Sequence, residues 1–175
     1  MTPPHRVIVI GTSGSGKTTL AARIAARLRI RHVEIDALFH GPNWVPRESF
    51  LEEVQRLADS DEWVTEWQYR EARPVLLARA TLAVWLDYPL RLRMWRNVTR
   101  TVRRRVRRVE LWNGNFEPPL WTIFTNRDHI IRWAWRTRHK FDGCDAELRA
   151  SRPDLRIVHL RSQRDTDAWL ASLER

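Results

Sequence analysis

Cysteine is almost missing. Cys144 is the only one among 175 residues, which excludes a disulfide framework within the chain and points to a reducing compartment. Long apolar runs are missing too. The longest, "VIVI" (7–10) and "LAVWL" (82–86), are strand-sized and fall far short of the roughly 20 residues of a membrane helix. The first residues lead directly into such a run and leave no room for a signal peptide, so a soluble cytoplasmic protein with no membrane partner is expected. Repeats, low-complexity tracts and linkers long enough to split the chain are also lacking, and one domain over 1–175, with a full core, is the expectation. Lysine is scarce: apart from Lys17 and Lys140, the 31 basic residues are arginines.

What is present is positive charge, and it is local. Residues 88–140 hold 14 of the basic residues against three acids, while the rest of the chain is close to neutral. Its densest stretch, "RMWRNVTRTVRRRVRRVELWNGN" (93–115), carries eight arginines and one acid. So dense a row of like charges is unfavourable unless anions lie near. Either a nucleic-acid backbone or the phosphates of a small nucleotide would serve.

The order of elements suggests an α/β fold. "HRVIVIG" (5–11) reads as a buried parallel strand. A helix follows over about 17–28, with Leu20, Ile24, Ala25 and Leu28 on one face. "HVEID" (32–36), "EWVTEW" (62–67), "LAVWLD" (82–87) and "RIVHL" (156–160) read as further strands. Helices are expected over 46–58, opened by Pro46, from Pro89 onward, and over 165–174. The alternation predicts a three-layer α/β/α sandwich on a five-stranded parallel sheet. The irregular "LWNGNFEPPL" (111–120) interrupts a basic helical lid of about 100–140.

Residues 11–18, "GTSGSGKT", match the phosphate-loop pattern and sit between a strand and a helix, the context that gives the pattern its mechanism. Gly11, Gly14 and Gly16 let the backbone wrap round a phosphate chain, with Thr12, Ser13 and Ser15 between them and Thr19 just beyond. The helix N-terminus adds its positive end. Lys17 is expected to reach the β- and γ-phosphates of a nucleoside triphosphate, and Thr18 to ligate Mg²⁺. An acid at a strand end should support that ion, and both Glu66 and Asp87 qualify.

With these residues in place the chain resembles a known family. The phosphate loop, "EIDALFHGPNW" (34–44), "VWLDYP" (84–89) and "ELWNGN" (110–115) resemble, in order and over nearly the whole length, the adenylate-kinase-like P-loop proteins of the DNA topology modulation (FlaR-type) family. The resemblance implies a P-loop NTPase with sheet order 2-3-1-4-5 and an ATP- and Mg²⁺-dependent kinase acting on a small, nucleotide-like acceptor. It places Asp36, Asn43, Trp44, Arg70 and Arg73 on the acceptor side, with Trp44 either a stacking platform or a core aromatic. It also implies that Arg104, Arg107 and Arg108 swing over the transferring phosphoryl group, making them catalytic beside Lys17.

One stretch departs from the family pattern. Where relatives carry Asp-Gly-Asn-Tyr or an Asp-Gly motif, this chain reads "EWQY" (66–69), with Glu66 for Asp and Trp67 for Gly. Trp67 is expected to deny close approach of a substrate and to fill part of the acceptor site. On α-helical spacing, Trp95, Val98, Val102, Val106 and Val109 form one apolar stripe, with Arg96, Arg100, Arg103 and Arg107 on the opposite, solvent face. The alternative function is a nucleotide-binding regulator that associates with DNA or RNA, its arginines gripping a backbone beside Trp112, Trp121, Trp133 and Trp135. No recognised DNA-binding motif occurs, so nucleic-acid binding is expected to be weak and the lid reading is favoured.

Overall fold

The computed structural model of the protein describes residues 4–126 and 129–173. Strand β1 (Arg6–Ile10) runs into helix α1 (Lys17–Leu28), then come the single turn α2 (Ile35–Phe39) and a 3-10 turn at Pro42–Trp44. Helix α3 (Phe50–Asp59), β2 (Trp63–Glu66), α4 (Ala72–Arg79) and β3 (Leu82–Leu86) follow. The long α5 (Leu90–Val106), a second 3-10 turn (Trp112–Gly114), and the short α6 (Thr122–Thr125) and α7 (Ile130–Arg136) make up the basic segment. Helix α8 (Cys144–Ser151), β4 (Arg156–Leu160) and α9 (Gln163–Ala171) complete the described chain. The expected closing helix is thus α9; its predicted last residue, Glu174, lies outside the described residues, as do Arg127 and Asp128 of the lid region.

All strand pairs are parallel, in the order β2-β1-β3-β4. Side chains alternate across β1. Ile8 and Ile10 join the core built by α2, α3, α4 and α8 on one face, and Val7 and Val9 join that of α1 and α9 on the other. The result is the expected three-layer sandwich, built on four strands and not five. The missing strand is "HVEID". It makes only one bridge, His32 to Val64, before the chain turns into α2. The buried carboxylate of Glu66 accepts the Ile35 backbone N–H at 3.1 Å, so a side chain takes a donor that a longer strand would have given to its neighbour. The remaining order is the expected one without its edge strand.

Two further corrections concern helices. Pro46 does not open α3; it pairs with His40 across an antiparallel bridge, and α3 begins at Phe50. The apolar stripe of α5 faces outward. Trp95 is 68% exposed and Val106 74%, and the residues α5 buries are the polar Asn97 and Thr101. Its arginine-bearing side is the one that meets the rest of the protein.

Candidate active site

The phosphate loop is shaped by its glycines and by α5. A Cβ on Gly14 would stand 2.2 Å from the Arg93 carbonyl oxygen, so α5 can press this close only because position 14 is glycine. Gly14 and Gly16 also take positive φ values of 79° and 91°. Ser13 hydrogen-bonds Asn97 at 3.3 Å, and the Arg93 guanidinium donates to the Thr12 hydroxyl.

Lys17 is buried, and its ammonium donates to the Thr12 carbonyl at 3.2 Å. Burial pushes its pKa down to about 8; Asp36 and Glu66 pull upward, and Arg100 and Lys140 push further down. These five charged side chains, drawn from α1, α2, the end of β2, α5 and the segment after α7, therefore share one electrostatic environment. The loop provides the amides and lysine that a triphosphate needs, and the Ser15 hydroxyl is buried without a partner.

Glu66 and Asp87, equal candidates in the sequence, separate here. Glu66 is 1% exposed at the end of β2, and its Oε1 lies 3.4 Å from His32 Nε2. Burial raises its pKa, but hydrogen bonding from His32, Ile35 N–H and Thr18 outweighs this and keeps it below the usual carboxylate range. An ionised carboxylate beside the Thr18 hydroxyl suits a hydrated Mg²⁺, which keeps several waters and takes few protein ligands. Among the described residues no cluster of three or more His, Cys, Asp or Glu forms a protein-only metal cage. Asp87 instead pairs with His159 on β4 at 3.1 Å, its side chain 44% exposed.

On the expected acceptor side, Asp36 Oδ1 accepts from the Tyr69 hydroxyl at 2.6 Å and from the Gln68 amide at 3.2 Å. Burial and the Asp36 charge push the Tyr69 pKa far up, so its hydroxyl remains a donor. His40, its pKa lowered chiefly by burial, lies 3.2 Å from the same hydroxyl. Two residues of the departing "EWQY" stretch thus orient Asp36. Trp67 packs into the core and carries Arg73 on its ring, whereas Arg70 is exposed on the turn before α4.

Asn43 and Trp44, also expected on the acceptor side, sit on the 3-10 turn after α2. The turn that holds them docks against the second 3-10 turn. Asn115 accepts from the Trp44 N–H at 2.9 Å and donates to the Gly41 carbonyl at 2.9 Å. Asn113 donates to the Ala37 and His40 carbonyls, and the Trp112 indole donates to Glu34 at 2.7 Å. The two loops have the same form: each is spanned by an antiparallel bridge and has a left-handed asparagine, Asn43 or Asn113. The motifs "GPNW" and "ELWNGN" therefore interlock, and the segment after α5 docks on α2 and the turn that follows it.

Arg93, Arg96 and Arg100 of α5 stand at the phosphate loop. Arg96 and Arg100 line a cavity of about 300 Å³ with Gly14, Ser15, Gly16 and Thr19, which extends to Gln163 and Thr166 at the start of α9. Arg100 donates to Asn97 at 2.6 Å, and burial with Arg104 nearby lowers its pKa. Arg104 lies 3.7 Å from Glu117. Arg107 and Arg108 are exposed, about 20 Å along the helix from Arg93 at 1.5 Å per residue. Arg107 and Arg108 thus stand away from the loop, whereas Arg104 adjoins Arg100. The missed signal was the polar pair Asn97 and Thr101, which marks the inward face of α5.

No family model matches the chain, and no curated protein matches it. Solved structures do. A sugar kinase from Janibacter sp. is 22% identical with a TM-score of 0.54, covering 97% of this chain and 92% of its own. A gluconokinase from Sinorhizobium meliloti is 22% identical with a TM-score of 0.55, covering 97% and 93%. Shikimate kinase from Acinetobacter baumannii, in complex with shikimate, is 17% identical with a TM-score of 0.54, covering 98% and 90%. At these identities the likeness shows the fold, that of P-loop kinases.

Proposed function

We propose that the protein is an ATP- and Mg²⁺-dependent small-molecule kinase. The observation that carries this reading is the convergence on Lys17 of Glu66, Asp36 and Arg100 from three separate elements. The sugar, gluconate and shikimate kinases of like fold support a small-molecule acceptor. The resemblance of "GPNW" and "ELWNGN" to DNA topology modulation proteins remains our reading of those motifs.

In this reading the residues from Gly11 to Thr19 hold the triphosphate, and the cavity between Arg96 and Gln163 takes the nucleoside end. Thr18 and Glu66 hold the Mg²⁺, which neutralises phosphate charge when bound. Asp36, oriented by Tyr69 and Gln68, receives the proton of the acceptor hydroxyl as its oxygen bonds to the γ-phosphorus and the bond to the β-phosphate oxygen breaks. Lys17 and Arg100 neutralise the charge on the transferring group. The docked 110–116 loop keeps water from the acceptor side.

The test is nucleotide turnover with hydroxylated acceptors. Lys17→Ala should abolish turnover and Glu66→Gln should raise the Mg²⁺ requirement about tenfold or more. Wild-type turnover in Lys17→Ala would reject the assignment. Exposed Arg107, Arg108 and Trp121 favour, as the second reading, weak contact with nucleic acid; it would show as salt-sensitive binding without sequence preference.

A further inference from the structure

The outward side of α5 is apolar where a helix surface facing water should be polar. Trp95, Val102 and Val106 are exposed and share one face at helical spacing, a stripe about 16 Å long at 1.5 Å per residue. Exposed Arg91 and Arg103 border it, and Arg107 and Arg108 stand at its end. The stripe has company. Among the described residues twelve large apolar side chains are exposed, and nine of them, from Trp95 to Trp135, fall within residues 88–140. That segment is also the one with the positive charge. On α7 the two features touch, with the Arg136 and Arg138 guanidinium carbons 5.2 Å and 4.7 Å from the Trp133 and Trp135 rings.

A partner that complements this face is anionic where it meets the arginines and apolar just beneath. A second copy of the chain brings two surfaces of like charge together. A nucleic-acid backbone answers the arginines, but Val102 and Val106 offer no ring on which a base could stack and would stay in water. An anionic bilayer surface meets both demands. Its headgroup phosphates take the guanidinium groups, whose stems reach up past the apolar residues. The boundary with the acyl chains takes the valines and an indole, a side chain that favours this depth. Among the described residues no helix is long and apolar enough to cross a membrane. That bears on spanning only, since a helix lying on a bilayer needs one apolar stripe and cations beside it.

We propose that the outward face of α5 is a peripheral docking surface for an anionic lipid bilayer. Trp95, Val102 and Val106 enter the boundary between headgroups and acyl chains, and Arg91, Arg103 and the arginines at the helix end pair with lipid phosphates. The inward side of the same helix keeps Arg93, Arg96 and Arg100 at the phosphate loop. Lipid and nucleotide therefore use opposite sides of α5 and do not compete.

The test is flotation with vesicles of equal parts phosphatidylglycerol and phosphatidylcholine, with and without Mg²⁺ and a non-hydrolysable ATP analogue. The wild type should bind these vesicles in both conditions and bind pure phosphatidylcholine far less. Its tryptophan emission should be quenched when the acyl chains are brominated. Trp95→Ser should weaken binding about tenfold or more and reduce the quenching, and Val106→Ser should weaken it severalfold. Arg103→Gln should cost about fivefold. All three side chains are exposed, so the thermal midpoints of the variants should match the wild type. Absence of binding overturns the proposal, and so does equal binding by Trp95→Ser and Val106→Ser. Binding that salt releases and brominated chains do not quench would reduce the contact to headgroup charge and end the docked stripe. Release by the nucleotide analogue would put the lipid phosphate in the phosphate loop instead. Preference for an oligonucleotide over the vesicles, weakened by the same substitutions, would give the face to nucleic acid. None of these readouts requires turnover.

Discussion

A buried lysine in a ring of charges is a titrating device as well as a ligand. With its pKa near 8, Lys17 is about half protonated at that pH in the free protein. A bound triphosphate favours the ammonium and raises the value again. Nucleotide binding at pH 8 should therefore take up roughly half a proton, visible in calorimetry as a dependence of the binding enthalpy on buffer ionisation heat. At pH 6 the lysine is already charged and contributes no uptake. The same buffer dependence at both values would mean that Lys17 is not the group responsible. The sign for stability follows: because the folded pKa is depressed, charged Lys17 opposes folding below pH 8, and that penalty is relieved as pH rises from about 8 to the unfolded value of 10.5.

At the scale of elements, α5 shows why amphipathicity alone misleads. Sequence periodicity correctly located a helix with Trp95, Val102 and Val106 on one side and arginines on the other. Which side faced inward was not legible, because the usual assignment assumes that the helix packs on an apolar core. Here it packs beside a phosphate loop, where cations complement the phosphates that such a loop holds. The strands at 6–10, 82–86 and 156–160 and the helix after the loop were legible, since each repeats an apolar pattern that the core requires. The segment 32–36 was not, because its fate depends on Glu66, 31 residues away in sequence. Orientation of α5 has a kinetic consequence. Arg100→Ala should lower turnover by on the order of a hundredfold with a smaller effect on nucleotide affinity. Arg107→Ala and Arg108→Ala should change turnover by less than about threefold. Steady-state kinetics of the three variants decide, and the reverse ranking would return catalysis to the helix end.

At the scale of the molecule, a nearly neutral α/β body carries a strongly basic cover, and two of the contacts between them differ in kind. One is the contact of Arg93 and Asn97 with the phosphate loop; the other is the pair of matching loops fastened by Asn113 and Asn115. Of the two, only the second can release without pulling α5 off the phosphate loop, so it is the natural gate for the proposed acceptor. Asn115 is buried and satisfies Trp44 N–H together with the Gly41 and Trp112 carbonyls. Asn115→Ala should remove these bonds at a local cost of about 1–3 kcal/mol. That cost falls on closure of the loop pair and leaves the sheet intact. Amide hydrogen exchange should then quicken at Trp44 and at Leu111, whose N–H bonds the Asn115 carbonyl, while amides of β1 and β3 keep their protection. Acceptor affinity should fall with little change in nucleotide affinity, because the phosphate-loop contacts are untouched. Equal acceleration of exchange in the sheet would show that Asn115 supports the whole fold and that the loop pair is no gate.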